Sequence, residues 1–384
     1  MTPGLSQLSI NGYRRLASVN IPLRPLNVLI GANGVGKSSF LDVFGLLAAS
    51  AGGTLQSSVG DLGGMKSLVT ADGQCNGLKF ALRMEQQSGN TLDYQLWLSS
   101  AAAGYVIEHE LLVPSWSGTG TAPNKYIDAV GSKALYYDGG RYLAPSWDYK
   151  THETALSQVP RTYREAESFR QLLSDVSEVY HALDVSRRGP VRAPQVLSPA
   201  QTPGADGENL VSCLYNMRET ERDRFTAVED ALRAAFPAFE QLGFPLVGGG
   251  RGALTWQESG AAREFYASEL SEGTLRFLWL ATLLQSPDLP RIALIDEPEV
   301  SLHPEMLRLL TDLMREAAQR CQLVVATHSD RLVRFLDPSE LLVCDKDANG
   351  SMIAQWADTL DLEEWMQDYT LDELWSMGRL GGRS

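Results

Sequence analysis

Residues Gly31-Ala32-Asn33-Gly34-Val35-Gly36-Lys37-Ser38 match a phosphate-binding loop, G-x-x-x-x-G-K-[ST], with Ser39 directly behind it. The pattern describes chemistry. Glycines let the backbone curl so that successive N–H groups converge on an oxyanion, and a helix beginning there adds the positive end of its dipole. Lys37 is spaced to reach β- and γ-phosphates, and the Ser38 hydroxyl to ligate Mg²⁺, so the loop points to ATP with Mg²⁺. A second cluster, Asp296-Glu297, ends the apolar run Ile292-Ala293-Leu294-Ile295. Asp296 can hold Mg²⁺ through water, and Glu297 can orient or deprotonate an attacking water. A third candidate, His328, follows the apolar run Leu323-Val324-Val325-Ala326-Thr327.

These groups need strands and helices to hold them. Leu26-Asn27-Val28-Leu29-Ile30 reads as a buried strand before the loop, and Phe40, Leu41, Phe44, Leu47 and Ala48 recur at helical spacing after it. All three clusters then stand at carboxyl ends of strands, where open α/β sheets place ligands. Ser271 and Gly273 open a helix carrying Leu275, Leu278, Ala281 and Leu284. Such a pair is either an anion site or an ordinary N-cap. The stripe Met306, Leu310, Leu313 and Ala317 is a core face.

Elsewhere the pattern predicts two strands around a turn over residues 5–30 and a glycine-rich loop over 52–64. An antiparallel meander follows over 77–113, turning at Ser88-Gly89-Asn90, and then a loop over 115–124. Residues 161–183 read as a helix leading to a short strand, and 187–203, with four prolines, as an extended linker. Arg187, Arg188 and Arg192 make that linker either a phosphate contact or a solvated basic run. Asp206 can cap a helix to Thr220, a second helix runs through Phe236, and 242–247 with 253–258 form a hairpin across Gly248-Gly249-Gly250. There are no heptads or repeats.

The chain has 384 residues, 44% of them hydrophobic, and a net charge of −14, which argues against nucleic-acid binding by bulk charge. Cys75, Cys213, Cys321 and Cys344 are scattered, as in a reducing cytosol. Residues 1–7 show no signal peptide and no apolar stretch approaches a membrane span, so a cytoplasmic protein off the membrane is expected.

The order phosphate loop, Ser-x-Gly, Asp-Glu-Pro-Glu, Ser-Leu-His-Pro, Thr-His-Ser resembles ABC ATPases of the SMC/RecF/OLD group. Ile10-Asn11-Gly12-Tyr13-Arg14-Arg15-Leu16 is similar to that group's opening Ile-x-Asn-Phe-Arg-Ser-Leu, whose arginine, matched by Arg14, lies near the nucleotide. The likeness extends, through 206–239 and 371–382, to standalone AAA/ABC ATPases of bacteria and archaea. It implies an α/β P-loop NTPase: an ABC-type ATPase head with an antiparallel β-subdomain and an inserted helical lid. Three regions are expected: 1–150 with Walker A and the meander, 151–262 as the insert, and 263–384 with signature, Walker B, D-loop and switch histidine.

By the same resemblance, Glu297, His328 and Lys37 are catalytic, and His328 contacts the γ-phosphate. Arg14 and residues 31–39 bind nucleotide, Ser38 and Asp296 hold the metal, and Ser271 with Gly273 reach the nucleotide of a second copy. Glu272 departs from the family's Leu-Ser-Gly-Gly-Gln, and His303 is D-loop packing. About 234 positions separate Lys37 from Ser271, roughly twice the spacing the resemblance implies for transport ATPases. OLD nucleases append a Toprim domain; Asp345-Lys346-Asp347 reads here as a solvated turn. No glutamine among Gln86, Gln87 and Gln95 stands out as a Q-loop residue.

The implied partners are a second copy, bound in an ATP-dependent homodimer, and a separately encoded nuclease or Toprim-like effector in defence against phage or plasmids. The alternatives are a RecF/SMC-like protein binding DNA itself, which the charge disfavours, and a nucleotide-sensing scaffold.

Overall fold

Strands that are apolar throughout are stable where both faces of a sheet are covered, and those of this sequence assemble that way. The computed structural model describes all residues except 1–3, 72–74, 87–88, 103, 116–123, 139, 182, 362–364, 366–367 and 382–384. The expectations for Gln87, Ser88, residues 1–3, most of the 115–124 loop and Gly382 therefore lie outside the described residues.

The chain opens with β1 (Gly4–Tyr13), β2 (Leu16–Pro22) and β3 (Leu26–Ile30), then α1 (Lys37–Gly52), α2 (Leu55–Asp61) and α3 (Met65–Leu68). The meander comprises β4 (Gly77–Glu85), β5 (Thr91–Ala101), β6 (Gly104–Pro114), β7 (Ile127–Val130), β8 (Lys133–Asp138) and β9 (Arg141–Leu143). Next come α4 (Ala155–Gln158), α5 (Arg164–Ser174), β10 (Val176–Tyr180), β11 (Gln195–Val196), α6 (Leu210–Thr220) and α7 (Arg222–Ala235). Five short strands follow: β12 (Phe239–Gly243), β13 (Leu246–Val247), β14 (Arg251–Gly252), β15 (Thr255–Glu258) and β16 (Phe265–Tyr266). The remaining elements are α8 (Glu272–Gln285), β17 (Ile292–Asp296), α9 (Pro304–Ala318), β18 (Gln322–Thr327), α10 (Asp330–Val333), β19 (Leu341–Lys346), β20 (Met352–Trp356) and α11 (Leu371–Ser376).

A six-stranded sheet runs β10-β17-β18-β3-β19-β20, parallel except for β20. Its faces divide residue by residue. Ile292, Leu294, Val324 and Ala326 join a core with α1, α5 and the meander, whereas Ala293, Ile295, Leu323 and Val325 join a core with α6 to α9. Each buried Ile, Leu or Val side chain among them contributes about 1.5–3 kcal/mol. The meander belongs to an eight-stranded antiparallel sheet, β2-β1-β4-β5-β6-β7-β8-β9. Gln322 ties the two sheets: its Oε1 accepts from Leu5 N–H at 3.2 Å, and its Nε2 donates to the Leu5 and Arg24 carbonyls.

Several local expectations are corrected. Residues 5–30 form three strands rather than two: β1 pairs with β2 and β4, while β3 enters the other sheet. The stretch 52–64 is not all loop but contains α2, whose first amides, Leu55 N–H and Gln56 N–H, donate to the Glu153 carboxylate 98 and 97 positions away. Helix α6 starts at Leu210 behind Asn209, so Asp206 is not its cap. The 242–258 hairpin is split, with β12 pairing β15 and β13 pairing β14 in separate sheets. The 187–203 segment contains β11, which pairs with β14. Asp345 and Lys346 end β19, and only Asp347 enters the turn, where its Oδ1 accepts from Asn349 and Ser351 N–H.

Glu110 in β6 repeats the device of Glu153. Its Oε2 accepts Ala155 N–H at 2.5 Å, and its Oε1 accepts Leu156 N–H and Tyr94 O–H, so a strand carboxylate caps α4. Burial outweighs these bonds and pushes its pKa up to about 7. Because the folded value exceeds the unfolded one, its contribution to stability is complete below the ordinary carboxylate range and is lost as pH rises through 7. Unfolding titrations of the wild type and Glu110→Gln between pH 5 and 8 test this. The wild type should lose about 3 kcal/mol relative to the variant over that range; a pH-independent difference would contradict it.

Candidate functional site

The parallel register brings four strand ends into line. Tyr180 lies beside Ile295, Asp296 beside Ala326, and Thr327 beside Ile30. The next residues along the chain, His181, Glu297, His328 and Gly31, therefore emerge on one edge of the sheet.

From that edge the 31–36 loop turns into α1. An added Cβ on Gly31 would stand 2.3 Å from the Cys344 carbonyl oxygen of β19, so only glycine fits. Gly36, at φ 125°, precedes α1 and offers no side-chain cap. Side chains do cap α8, α9 and α10: Ser271, His303 and Ser329 respectively. The first amides of α1 are thus left for a ligand. A cavity of about 240 Å³ opens there, lined by Arg14, Arg15, Gly34, Gly36, Lys37, Ser38, Ser39 and His328. Val35 is buried in the core and Asn33 is exposed.

Lys37 folds across the loop. Its Nζ donates to the Gly31 carbonyl at 2.6 Å and the Ala32 carbonyl at 3.1 Å, and lies 3.2 Å from His328 Nδ1. Burial pulls its pKa down to about 8, against the raising pull of Cys344, Asp296, Glu297 and Glu299. His328 is also pulled down, by burial first and by the Lys37 charge second. A neutral imidazole accepting from Lys37 presents its Nε2 side to Glu297, whose Oε1 is 3.7 Å away.

The acidic turn is strained. Glu297 and Ser301 adopt φ 51° and 64°, the left-handed region that non-glycine residues rarely occupy. Glu297 N–H donates to the Ala326 carbonyl at 2.8 Å, which pins the turn to β18. Glu299 Oε1 accepts from Thr327 Oγ1 at 2.7 Å and from His328 N–H at 3.3 Å, so it holds the backbone that carries His328. Its Oε2 is buried without a partner, and burial raises its pKa. Asp296 is likewise raised by burial; its Oδ2 lies 3.2 Å from His181 Nδ1.

Arg14, at φ 46°, anchors on Asp42 of α1 at 2.5 Å, and Arg15 donates to the Gly350 carbonyl at 3.1 Å. Both line the cavity. Ser271 and Gly273 do not line it. Ser271 Oγ is held by Thr274, and an added Cβ on Gly273 would come within 2.6 Å of the Ser301 carbonyl oxygen. Arg276 of α8 donates to the Val300 carbonyl at 3.1 Å, so the start of α8 rests on the turn that follows Glu297. Arg187 and Arg188 are exposed, as in a solvated run, whereas Arg192 is half-buried. Its guanidinium donates to the carbonyls of Val185, Ala267, Ser268 and Leu270, bracing the approach to Ser271. His303 is exposed at the start of α9, where its Nδ1 accepts Glu305 N–H, and is not packed. Gln86 and Gln95 do not line the cavity.

The exposed Ser38 hydroxyl and the Asp296 carboxylate are hard oxygen donors, a set that fits Mg²⁺ carried in by phosphates. Sequence reading missed Arg15, His181 and Glu299. Arg15 had a local signal as the neighbour of Arg14, and Glu299 as the last residue of Asp-Glu-Pro-Glu; His181 depends on register.

Two family models match the sequence: "AAA domain, putative AbiEii toxin, Type IV TA system" over residues 146–334, and "AAA ATPase domain" over residues 4–90. No curated protein matches it. Among solved structures, the SmcHead bound to the C-winged helix domain of ScpA is similar at TM-score 0.54 and 14% identity, over 92% of this chain and 99% of that one. The Smc head domain with an extended coiled coil, bound to the C-terminal domain of ScpA derived from Pyrococcus furiosus, is similar at TM-score 0.52 and 12% identity, over 95% and 98%. At these identities the likeness speaks to the fold, which is that of a P-loop ABC-type head. Among the described residues no helix is long and apolar enough to cross a membrane. In sequence the chain is similar to AAA-type ATPases over these two stretches, and in fold to the ABC-type heads of SMC proteins.

Proposed function

We propose that this protein binds ATP with Mg²⁺ on the loop before α1, hydrolyses it within an ATP-dependent homodimer, and uses that cycle to switch a partner effector. One observation carries the reading: Lys37, His328 and Glu297 form a continuous chain, at 3.2 and 3.7 Å, on the edge where Asp296 also emerges. Lys37 exchanges the Gly31 and Ala32 carbonyls for phosphate oxygens, which offer its ammonium a stronger, charge-assisted partner. Loop residues 31–39 and the first amides of α1 cradle the phosphates, while Arg14 and Arg15 face them from the rim. Ser38 and Asp296 would hold Mg²⁺, which supplies charge neutralisation on the phosphate oxygens. Glu297 orients the attacking water and accepts its proton, with neutral His328 beside the terminal phosphate.

Ser271 and Gly273 lie off this cavity, on an exposed helix start, and this supports their completing the site of a second copy. Gly273 packs on the Ser301 carbonyl of the turn that carries Glu297, so a second copy's nucleotide and the chain's own catalytic turn share one support. The family model described as a toxin of a type IV toxin–antitoxin system supports a defence role with a separate partner. The alternative of direct DNA binding loses Arg192, which is spent on backbone carbonyls.

Glu297→Gln should leave ATP affinity intact, lower turnover by about 100-fold or more, and elute as a dimer in ATP. A variant that binds ATP yet remains monomeric would sink the sandwich, and loss of ATP binding in Lys37→Ala checks the loop itself. Gly273→Ala must push on the Ser301 carbonyl and through it on the Glu297 turn. Its turnover should fall by about tenfold or more while the monomer's own loop still captures nucleotide; nucleotide binding measured at concentrations where the chain is monomeric, alongside steady-state hydrolysis, separates the two effects.

A further inference from the structure

Strand β10 ends the six-stranded sheet. β17 pairs with one side of it, and among the described residues no strand pairs with the other. An end strand offers unpaired N–H and C=O groups, which folded proteins usually cover. Here the segment placed to cover them stands off. A cavity of about 600 Å³ is lined by Ser177, Glu178 and Tyr180 of β10, by residues 202–206 with Glu208, and by Pro290. It exceeds the 240 Å³ beside Lys37 and falls within the ~300–1,000 Å³ typical of ligand sites. The wall opposite β10 is fixed by its own hydrogen bonds. Tyr180 Oη donates to the Pro203 carbonyl and Trp279 Nε1 to the Gly204 carbonyl, each at 3.0 Å. Thr202 Oγ1 donates to the Asp288 carbonyl at 2.7 Å, and Asn209 Oδ1 accepts Gly204 N–H at 2.7 Å. The segment is thus held where it stands, and the gap is a built feature of the fold. Its lining carries three carboxylates, Glu178, Asp206 and Glu208, and no cation. Among the described residues no three acidic, His or Cys side chains are grouped to hold a metal ion, so the complement of this lining is an organic cation.

We propose that this cavity is the docking slot for an extended segment of a partner protein that carries Lys or Arg side chains. Main-chain groups of the segment meet the free edge of β10, and its cations meet the three carboxylates. This rests on the reading that the ATP cycle switches a partner effector, and it names where that effector is held and by what chemistry. Both walls of the slot lead to the nucleotide site. Tyr180 of β10 pairs with Ile295, the residue before Asp296. The opposite wall hangs on Trp279 of α8, whose first turn sets Gly273 against the Ser301 carbonyl. A segment that fills the slot therefore bears on the acidic turn from two sides. The same carboxylates repel a polyanion.

The test uses the full chain and a fluorescein-labelled peptide, Lys-Val-Lys-Val-Lys-Val with an amidated end, read by fluorescence anisotropy at physiological salt. The wild type should bind it in the micromolar range. The same peptide with Glu in place of Lys should not bind, and methylating its backbone nitrogens should weaken binding by about tenfold or more. Glu178→Gln combined with Glu208→Gln should also weaken it by about tenfold or more, with ATP binding and basal turnover as in the wild type. Both side chains are exposed, so the fold tolerates the change. Asp61→Asn combined with Glu85→Gln removes the same two charges from exposed positions outside the slot and should leave peptide binding unchanged. No binding of the lysine peptide, an equal loss in the two double variants, or indifference to backbone methylation overturns the proposal. A peptide that binds at the slot without changing ATP turnover keeps the slot and overturns the reading of a switched partner.

Discussion

Everything at the site depends on the relative register of β10, β17, β18 and β3, and apolar packing alone does not set it. In a half-buried sheet a one-residue slip turns the apolar side chains to water and is thereby excluded. Here Leu26–Ile30 and Gln322–Thr327 are buried on both faces, so a slipped strand would still be apolar on each side. The polar exceptions supply the missing discrimination. Buried Asn27 donates through Nδ2 to the Arg24 and Leu323 carbonyls and accepts Arg24 N–H, and buried Gln322 bridges Leu5 and Arg24. A shift would leave these amides unpaired in the interior, at about 1–3 kcal/mol each. Two pins at the amino ends of strands thus decide which residues meet at the carboxyl ends.

Strain then concentrates where the aligned ends must turn. Arg14, Glu297 and Ser301 are the non-glycine residues with positive φ among the described residues, and two of them bracket the acidic turn. Backbone held in such conformations persists only when its surroundings over-determine it. Ala326 and Glu299 restrain the turn from the β18 side, and Arg276 and Gly273 from the α8 side. A displacement of α8 therefore reaches Glu297 through Val300 and Ser301, whereas the loop before α1 is held independently by Cys344. The loop before α1 and the turn that carries Glu297 are in this way held by separate supports.

How far the sequence discloses the structure follows from the range of each interaction. Lys37, Ser38, Asp296 and Glu297 are legible because strand, turn and helix each bring their own chemistry within a few residues. Helix α2 is not: the stretch around Gly52, Gly53 and Gly60 reads as loop, and the Glu153 carboxylate that satisfies its first amides is nearly a hundred positions away. Glu110 acts on α4 from 45 and 46 positions away. Arg192 sits among prolines in a stretch that looks solvated, but three of its four carbonyl partners come from the distant segment 267–270. His181 follows a five-residue strand with little periodicity, and its neighbour Asp296 is defined only by pairing.

Net charge illustrates the same point. A chain at −14 should repel polyanions, yet the described lining of the cavity carries Arg14, Arg15 and Lys37 and no carboxylate. Asp296, Glu297 and Glu299, at the margin of that lining, raise the Lys37 pKa against burial. Burial still prevails and holds the ammonium near 8, a value at which it remains charged at neutral pH but gains from any added negative charge. Repulsion over the whole surface is screened within about 8–10 Å at physiological salt, whereas a phosphate in the cavity lies within contact distance of three cations. Local geometry, set by the register of buried strands, therefore outweighs the global balance of charge.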